Sequence, residues 1–231
     1  DWHKQLFDHA RKEKITIFST PFDESAVDLL EDLNAPAYKI ASFEATDHYL
    51  IKYAAQTKKP LIVSTGLLNF EEIQEIIEIV NQCGNNQLII LHCISSYPAP
   101  VKDSNLLTIV DMKNKLNVPI GLSDHTIPNT TSLAAIALGA CLIEKHFIID
   151  RKEKGPDSEF SIMPQELKSL CTDSINVWES LGKCDYSLKN SEKNSIRYRR
   201  SLYFVKKIQK GETITNEHIK RIRPGYGLPP K

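Results

Sequence analysis

The sequence lacks a long hydrophobic run, an excess of one charge and a regular cysteine pattern. Its longest hydrophobic runs, such as residues 88–91, are far too short to cross a bilayer. It carries 29 basic and 29 acidic residues, and this net charge of +0 gives no reason to expect a nucleic-acid partner. The five cysteines are odd in number and include no metal-type CxxC pair. This pattern predicts a reduced, cytoplasmic protein rather than a disulfide scaffold.

Six short apolar runs rich in β-branched residues predict strands, and helical patterns lie between them. Such runs are typical of strands buried on both faces, as in a parallel sheet. The clearest helix begins after Asn69, with Glu72 completing a capping box and Gly84 well placed to end it. The alternation predicts a parallel α/β fold. The predicted strands cover residues 15–19, 37–42, 61–64, 88–93, 118–121 and 141–145, and the other helices cover 24–33, 47–57, 104–115, 130–139 and 164–181.

Two parallel architectures compete, and a missing motif separates them. A doubly wound sheet places a glycine-rich phosphate turn after its first strand, but the sequence has neither a GxGxxG motif nor a P-loop. A TIM (β/α)8 barrel places polar residues at the C-terminal end of nearly every strand, and all six predicted strands end in this way. We therefore predict an α/β fold of the TIM-barrel type.

The predicted strands are two short of the eight that normally close such a barrel. The chain also starts without Met, inside a predicted amphipathic helix that carries Trp2, Leu6 and Phe7. We expect a fragment that lacks the first two βα units. The alternative is an open six-stranded sheet with exposed edges, which is an aggregation liability.

The pattern changes near residue 185, where a polar stretch begins. Beyond this stretch, residues 201–207 are predicted as a strand, 211–212 as a turn and 215–219 as a capped helical turn. We therefore divide the chain into a partial barrel domain at 1–184, a linker at 185–200 and the start of a small second domain at 201–231.

Two histidines, His125 and His146, follow consecutive predicted strands. Because the strand ends of a βα barrel converge on one rim, we expect the two imidazoles to lie close together. Such a pair can bind a divalent metal. The alternative is two unrelated histidines that help to close loops.

Eight short segments carry a family resemblance through their shared order and spacing. They are 19–23 (Ser-Thr-Pro-Phe-Asp), 38–44 (Tyr-Lys-Ile-Ala-Ser-Phe-Glu), 64–66 (Ser-Thr-Gly), 91–93 (Leu-His-Cys) with Tyr97 and Pro98, 121–126 (Gly-Leu-Ser-Asp-His-Thr), 144–147 (Glu-Lys-His-Phe), 155–157 (Gly-Pro-Asp) and 199–202 (Arg-Arg-Ser-Leu). In these segments the chain resembles sialic acid synthases over essentially its whole length.

The resemblance implies a TIM barrel joined to a C-terminal antifreeze-like (SAF) domain. It also implies a reaction in which phosphoenolpyruvate condenses with an N-acylated amino sugar. The product is a nine-carbon 2-keto acid, phosphate is released, and a divalent metal, Mn²⁺ or Mg²⁺, is required. The implied partners are these two substrates and a second copy of the chain, in a domain-swapped homodimer.

The resemblance also implies a set of site residues. Phosphoenolpyruvate is an anion, so its site needs a cation and short hydrogen-bond donors. These are Thr20, Lys39, Ser42, Ser64 and Ser123. The metal ligands are His125 and His146. Glu44 and Asp157 are assigned catalytic, proton-handling or supporting roles, Ser95 and Tyr97 contact substrate, and Arg223 reaches the N-acyl group from the partner subunit. The alternatives are ordinary turn, capping, packing and surface roles for these residues taken singly.

Two departures from the family pattern stand out. Ser95 occupies the position at which N-acetylneuraminate synthases usually have Asn, in a His-Cys-Thr-Asn segment. This change bears on the choice of sugar rather than on the chemistry. In addition, a catalytic glutamate and a lysine that the family carries on its first two strands have no matching positions here.

The residues in these motifs are most similar to those of the pseudaminic acid synthase branch, whose substrate is 2,4-diacetamido-2,4,6-trideoxy-altrose. N-acetylneuraminate and legionaminate synthases are the alternatives within the family. Outside it, the chain could be a non-catalytic remnant that acts as a binding or dimerisation module. A metal-dependent hydrolase built on a barrel also fits two histidines, but it does not explain the phosphate-type donors.

Overall fold

The computed structural model describes residues 2–231, and the chain divides into two compact units. The first unit is Asp1–Gly182 and the second is Lys183–Lys231. Within the part described, no helix is both long and apolar enough to span a membrane.

The first unit is built from alternating helices and parallel strands, with a parallel sheet in the order β1-β2-β3-β4-β5. Each strand pairs with the next one along the chain, which is the neighbour relation of a barrel wall. The parallel α/β fold is thus confirmed.

The strands are β1 (Tyr38–Ile40), β2 (Leu61–Ser64), β3 (Leu88–Cys93), β4 (Ile120–Ser123) and β5 (Ile143–Glu144). The helices are α1 (His3–Glu13), α2 (Glu24–Asp32), α3 (His48–Gln56), α4 (Phe70–Gln82), α5 (Leu107–Lys115), α6 (Thr130–Ala137) and α7 (Pro164–Leu181), with short 3₁₀ helices at Ser42–Glu44 and Val101–Asp103.

The predicted strand at 15–19 was wrong in extent. Only Ser19 forms a bridge, to Tyr38, and its carbonyl accepts a hydrogen bond from the backbone N–H of Lys39. A strand at an edge has one neighbour to pair with, so its ladder is easily reduced to a single bridge. The strand predicted at 118–121 instead begins at Ile120, and those at 37–42 and 141–145 are shorter than expected.

The capping box predicted for α4 is confirmed. The side chain of Asn69 accepts a hydrogen bond from the Glu72 N–H at 2.9 Å, and the Glu72 carboxylate accepts one from the Asn69 N–H at 2.7 Å. The helix then buries Ile73, Ile76 and Val80 on one face. This face packs into a core formed with the strands, in which Ile90 of β3 is fully buried.

The second unit contains one antiparallel pair of strands, β6 (Ser201–Phe204) and β7 (Ile219–Ile222). The capped turn predicted at 215–219 is present but ends earlier: the His218 N–H donates to the Thr215 carbonyl at 3.0 Å, His218 Nδ1 accepts from the Thr215 N–H, and Ile219 already belongs to β7. Within the stretch predicted as a linker, Asn190–Tyr198 forms a 3₁₀ helix.

Candidate active site

A cavity of about 500 Å³ opens at the C-terminal ends of the strands of the first unit. The parallel strands end on the same edge of the sheet, so residues far apart in sequence meet there. Its lining includes nine of the twelve site residues singled out in the sequence. The lining residues are Thr20, Phe22, Lys39, Ala41, Ser42, Ser64, Cys93, Tyr97, Ser123, His125, Glu144, Lys145, His146 and Asp157.

Lys39 provides a buried positive charge at one side of this cavity. Its Nζ donates hydrogen bonds to Ser64 Oγ at 2.7 Å and to the Ile40 carbonyl at 3.0 Å, and it lies 3.5 Å from Glu144 Oε2. Ser123 Oγ donates to the other carboxylate oxygen of Glu144 at 2.6 Å. Burial lowers the pKa of Lys39, and Glu144 partly offsets this effect. A cation held in this way favours an anionic ligand, which would restore the charge balance that burial disturbs.

The two histidine rings lie together at the other side of the cavity, with centroids 5.2 Å apart. His125 Nδ1 donates to the Ile94 carbonyl at 3.0 Å, and His146 Nδ1 lies 3.3 Å from Asp157 Oδ2. Because a carbonyl oxygen only accepts, the Ile94 contact places the proton of a neutral His125 on Nδ1 and leaves Nε2 with a free lone pair. Metal-binding histidines are commonly oriented by this kind of contact.

Electrostatics differ between the two rings. Burial lowers the pKa of His125, but its contacts with Cys93 and the Ile94 carbonyl outweigh burial and leave that pKa raised. Burial and the neighbouring His125 lower the pKa of His146, and Asp157 partly offsets them. His146 therefore favours the neutral form, which is the form that coordinates metals.

The donor set fits a metal only in part. Across residues 2–231, no group of three or more His, Cys, Asp or Glu side chains is arranged to hold a metal ion. Two imidazole nitrogens could serve as two ligands, and the remaining positions would then fall to water or substrate oxygens. Catalytic metal sites do keep positions open in this way.

Aromatic rings complete the wall beside the histidines. The Tyr97 ring centroid lies 4.3 Å from that of His125, and the buried Phe160 ring lies 4.9 Å from His146. These contacts limit the rotation of both imidazoles and give one side of the cavity an apolar surface.

Ser42 and Ser95 pack around Gly66. The Gly66 N–H donates to Ser42 Oγ at 3.0 Å, and a Cβ added to Gly66 would collide with Ser95 Oγ. Ser95 lies 3.9 Å from Cys93 Sγ but is not among the residues that line the cavity. The position therefore has to remain glycine for both serines to keep their places.

Two further residues singled out in the sequence lie outside the cavity lining. One carboxylate oxygen of Glu44, Oε2, is buried and has no hydrogen-bond partner among the described atoms. Arg223 belongs to the second unit, where it is exposed and follows β7. The roles given to both residues stay predictions.

Sequence reasoning assigned no role to five residues that line the cavity: Phe22, Ala41, Cys93, Glu144 and Lys145. Glu144 faces Lys39 and Ser123 because β4 and β5 pair in parallel with Ser123 opposite Glu144. A signal was available, since Glu144 lies two residues before His146 and alternate strand residues share a face. Cys93 lies 3.8 Å from His125 Nδ1; burial raises its pKa, but the contacts with His125 and Ser42 outweigh burial and leave it lowered.

Comparison with known proteins points to one family. Residues 1–186 match the model of the NeuB family. A pseudaminic acid synthase of Helicobacter pylori is 42% identical over 233 residues, which covers 100% of this chain and 68% of that protein. An N,N'-diacetyllegionaminic acid synthase of Campylobacter jejuni is 40% identical, over 98% of this chain and 69% of that protein.

Solved structures give the same result. The crystal structure of an N-acetylneuraminic acid (sialic acid) synthetase from Leptospira borgpetersenii, in complex with citrate, has a TM-score of 0.80 and 35% identity. The match covers 85% of this chain and 69% of that one. Together with the cavity at the strand ends, these similarities show that the chain belongs to the NeuB family and is an enzyme of the sialic and pseudaminic acid synthase class.

Proposed function

We propose that this enzyme condenses phosphoenolpyruvate with an N-acylated amino sugar, to give a nine-carbon 2-keto sugar acid and phosphate. The observation that carries this proposal is the two-sided cavity. One side presents Lys39 with several serine hydroxyls, and the other presents His125 and His146. A phosphorylated acid and a carbonyl compound would need these two kinds of surface.

The lysine side of the cavity suits the phosphate and carboxylate of phosphoenolpyruvate. The Lys39 ammonium has only partial compensation from Glu144, at 3.5 Å. An incoming phosphate can accept charge-assisted hydrogen bonds from this ammonium and further bonds from short hydroxyl donors. These donors are Thr20, Ser42, Ser64 and Ser123, the last of which would turn its one hydroxyl proton from Glu144 to the phosphate.

The histidine side suits a divalent cation, Mn²⁺ or Mg²⁺, bound through Nε2 of His125 and His146. Such a cation would polarise the aldehyde oxygen of the open-chain sugar as a Lewis acid. Asp157, 3.3 Å from His146 Nδ1, would hold that ring in the orientation that exposes Nε2. Tyr97 would form the wall against which the sugar packs.

Water is the one further reactant that the bond changes require. The methylene carbon C3 of phosphoenolpyruvate attacks the aldehyde carbon, a C–C bond forms, and the aldehyde oxygen takes a proton to become a hydroxyl. Water then adds to the electron-poor C2 and loses a proton, for which Asp157 and Glu44 are the proposed acceptors. The bond between C2 and the phosphate oxygen breaks, phosphate leaves with the electron pair, and the new C2 hydroxyl gives its proton to the departing phosphate as the ketone forms.

Within the family, we propose pseudaminic acid synthesis from 2,4-diacetamido-2,4,6-trideoxy-altrose. The 42% identity to the Helicobacter pylori pseudaminic acid synthase, over the whole of this chain, supports this branch. Legionaminate synthesis is the second candidate, favoured by the 40% identity to the Campylobacter jejuni enzyme. Both sugars carry N-acyl groups, so the phosphoenolpyruvate chemistry is common to the two.

The test supplies the protein with Mn²⁺, phosphoenolpyruvate and one sugar at a time, and records phosphate release. We expect release with the pseudaminate precursor and little with the legionaminate precursor or N-acetylmannosamine. Release with another sugar alone would move the enzyme to that branch and keep the chemistry. Absence of release with all three, in folded protein that binds Mn²⁺, would favour a binding or dimerisation module instead.

We also propose that Arg223 serves the active site of a partner subunit in a homodimer. A mixture of two inactive variants, His125→Ala and Arg223→Ala, tests this arrangement. If the arginine acts across subunits, mixed dimers contain one intact site and activity returns on mixing and exchange. Activity that stays absent in mixtures shown to contain heterodimers would contradict the arrangement.

A further inference from the structure

A buried ion pair joins the ends of β4 and β5, immediately next to the two histidines. Lys145 Nζ lies 3.0 Å from Asp124 Oδ2, and the two side chains are only 3% and 1% exposed. Asp124 directly precedes His125, and Lys145 directly precedes His146. The pair therefore bridges the same two strand ends that carry the histidine rings.

Further hydrogen bonds hold both members of the pair. Asp124 Oδ2 accepts from Ser132 Oγ of α6 at 2.5 Å, and Oδ1 accepts from the Thr126 N–H at 2.8 Å. Lys145 Nζ also donates to the Thr126 carbonyl at 2.6 Å. The Asp124 N–H donates to the Glu144 carbonyl at 2.9 Å, so backbone and side chains lock the same junction.

Stability alone is a poor explanation for a pair of this kind. Removing two charges from water is costly, and a buried ion pair often stabilises a protein no more than apolar residues of similar volume would. What a satisfied buried network does provide is a single, well-defined geometry. Here the network lies directly beside His125 and His146, whose ring centroids are 5.2 Å apart.

We propose that Asp124 and Lys145 are positioning residues that set the spacing of the two histidines for a divalent cation. This inference rests on the proposed function, because it takes His125 and His146 as the metal ligands. The pair acts through the backbone on each side of it: Asp124 fixes the end of β4, Lys145 fixes the end of β5, and Ser132 anchors Asp124 to α6. Groups that orient metal ligands typically contribute about 10–100-fold to metal affinity.

The test measures Mn²⁺ affinity directly, by the electron paramagnetic resonance signal of free Mn²⁺, alongside thermal unfolding of the metal-free protein. The variants are Lys145→Met, Asp124→Asn and the double variant. We expect each single variant to lower Mn²⁺ affinity by about 10–100-fold. We expect the double variant to regain thermal stability, since no uncompensated charge remains, but to keep the lowered affinity.

A matched control pair lies on α5, where Lys115 Nζ and Asp111 Oδ2 are 2.9 Å apart with both side chains more than half exposed. Lys115→Met and Asp111→Asn remove the same charges and should leave Mn²⁺ affinity unchanged. Lys145→Arg keeps the positive charge and should recover part of the affinity that Lys145→Met loses.

The outcomes separate this inference from the proposed function. If the unaltered protein binds no Mn²⁺, the proposed metal site itself fails. If it binds Mn²⁺ and the folded single variants bind equally well, only the positioning role fails. If affinity returns together with stability in the double variant, the pair is merely structural. Should the single variants not fold, Ser132→Ala removes one hydrogen bond to Asp124, and we expect a smaller loss of affinity; unchanged affinity there would overturn the inference.

Discussion

The two units of the chain carry opposite charges although the whole chain is neutral. Residues 1–182 hold 16 basic and 25 acidic residues, a net charge of −9, whereas residues 183–231 hold 13 basic and four acidic residues, a net charge of +9. The acidic unit nevertheless contains a cavity built around the buried cation of Lys39. The comparison teaches that local arrangement, and not the net charge of a unit, decides which ligand a site favours.

The units also differ in what holds them together. The first has a continuous apolar core between its sheet and its helices. In the second, all of whose residues are described, the buried residues are Ser201 and His218, both polar. A unit this small cannot bury much apolar surface. We therefore expect substitutions in the first unit to have large effects and matched substitutions in the second to have small ones.

The largest difference in activity should separate the two histidines of the first unit from the histidine of the second. His125→Asn or His146→Asn removes a proposed metal ligand, and we expect phosphate release to fall by more than about 100-fold, since even the groups that orient such ligands contribute about 10–100-fold. His218 of the second unit, which lies 3.2 Å from Glu212, is the matched position. His218→Asn should keep most of the activity; equal losses at all three positions would break the comparison.

The next largest difference should appear in the KM for phosphoenolpyruvate when a lysine of each unit is replaced. Lys39→Met removes a buried cation that the proposed site uses for phosphoenolpyruvate, whereas Lys206→Met removes an exposed cation 2.7 Å from Glu217. Losing charge-assisted hydrogen bonds costs about 1.5–3 kcal/mol. Steady-state kinetics should therefore show a KM for phosphoenolpyruvate that is roughly 10–100-fold higher in the first variant. An unchanged KM for Lys39→Met would remove Lys39 from the proposed site, and Lys206→Met serves as its control.

Core truncations should differ in stability. Ile90 of β3 is fully buried, and Leu202 of β6 is only partly buried. We expect Ile90→Ala to lower the free energy of unfolding of the first unit by roughly 2–5 kcal/mol, through lost burial and a residual cavity. Leu202→Ala should lower that of the second unit by less than about 1 kcal/mol. Urea denaturation with a probe in each unit measures both, and similar losses would mean that the second unit has a core of its own.

The smallest contrast concerns two glutamates. Glu166 caps α7 by accepting from the Met163 N–H at 2.8 Å and pairs with both terminal nitrogens of Arg151, while Glu217 is an exposed partner of Lys206. At pH 7, Glu166→Ala should lower the free energy of unfolding by about 1 kcal/mol, as for a lost helix cap. Glu217→Ala should cost little, as is usual for exposed pairs.

The effect of Glu166 should also depend on pH. Burial raises its pKa, but the bonds from Met163 and Arg151 outweigh burial and leave the pKa below its usual value of 4.5. A carboxylate with a lowered pKa in the folded state stabilises the protein above pH 4.5, and this contribution is lost as pH falls through the folded value. The difference between the native protein and Glu166→Ala should therefore shrink in acid; a difference that grows would contradict the assignment.

The sequence predicted those parts of the fold that depend on local signals. The capping box of Asn69 and Glu72 located α4, and the apolar runs located β2 and β3 to the residue. The run at 15–19 failed because a strand exists only through its neighbours. β7 was missed because its two central residues, Lys220 and Arg221, are charged and its pairing partner lies 15 residues earlier in the chain.

The site, too, has features that could be predicted from the sequence and features that could not. Polar residues at strand ends could be read from the sequence, because barrel geometry makes such ends converge. The contacts of Glu144 with Lys39 and Ser123 could not, since they depend on the register between β4 and β5 and on side-chain directions across three strands. The Asp124–Lys145 pair depends on the same register and was likewise invisible.

The cavity takes residues from Thr20 to Asp157, nearly the whole of the first unit. During synthesis, therefore, no ribosome-bound intermediate that ends before residue 157 carries a complete site. N-terminal portions of a chain generally fold first. A cell that makes this enzyme thus handles an exposed, partly assembled sheet before any ligand can bind and stabilise it. Once the site is complete, a bound ligand stabilises the whole unit against unfolding, and not only one loop.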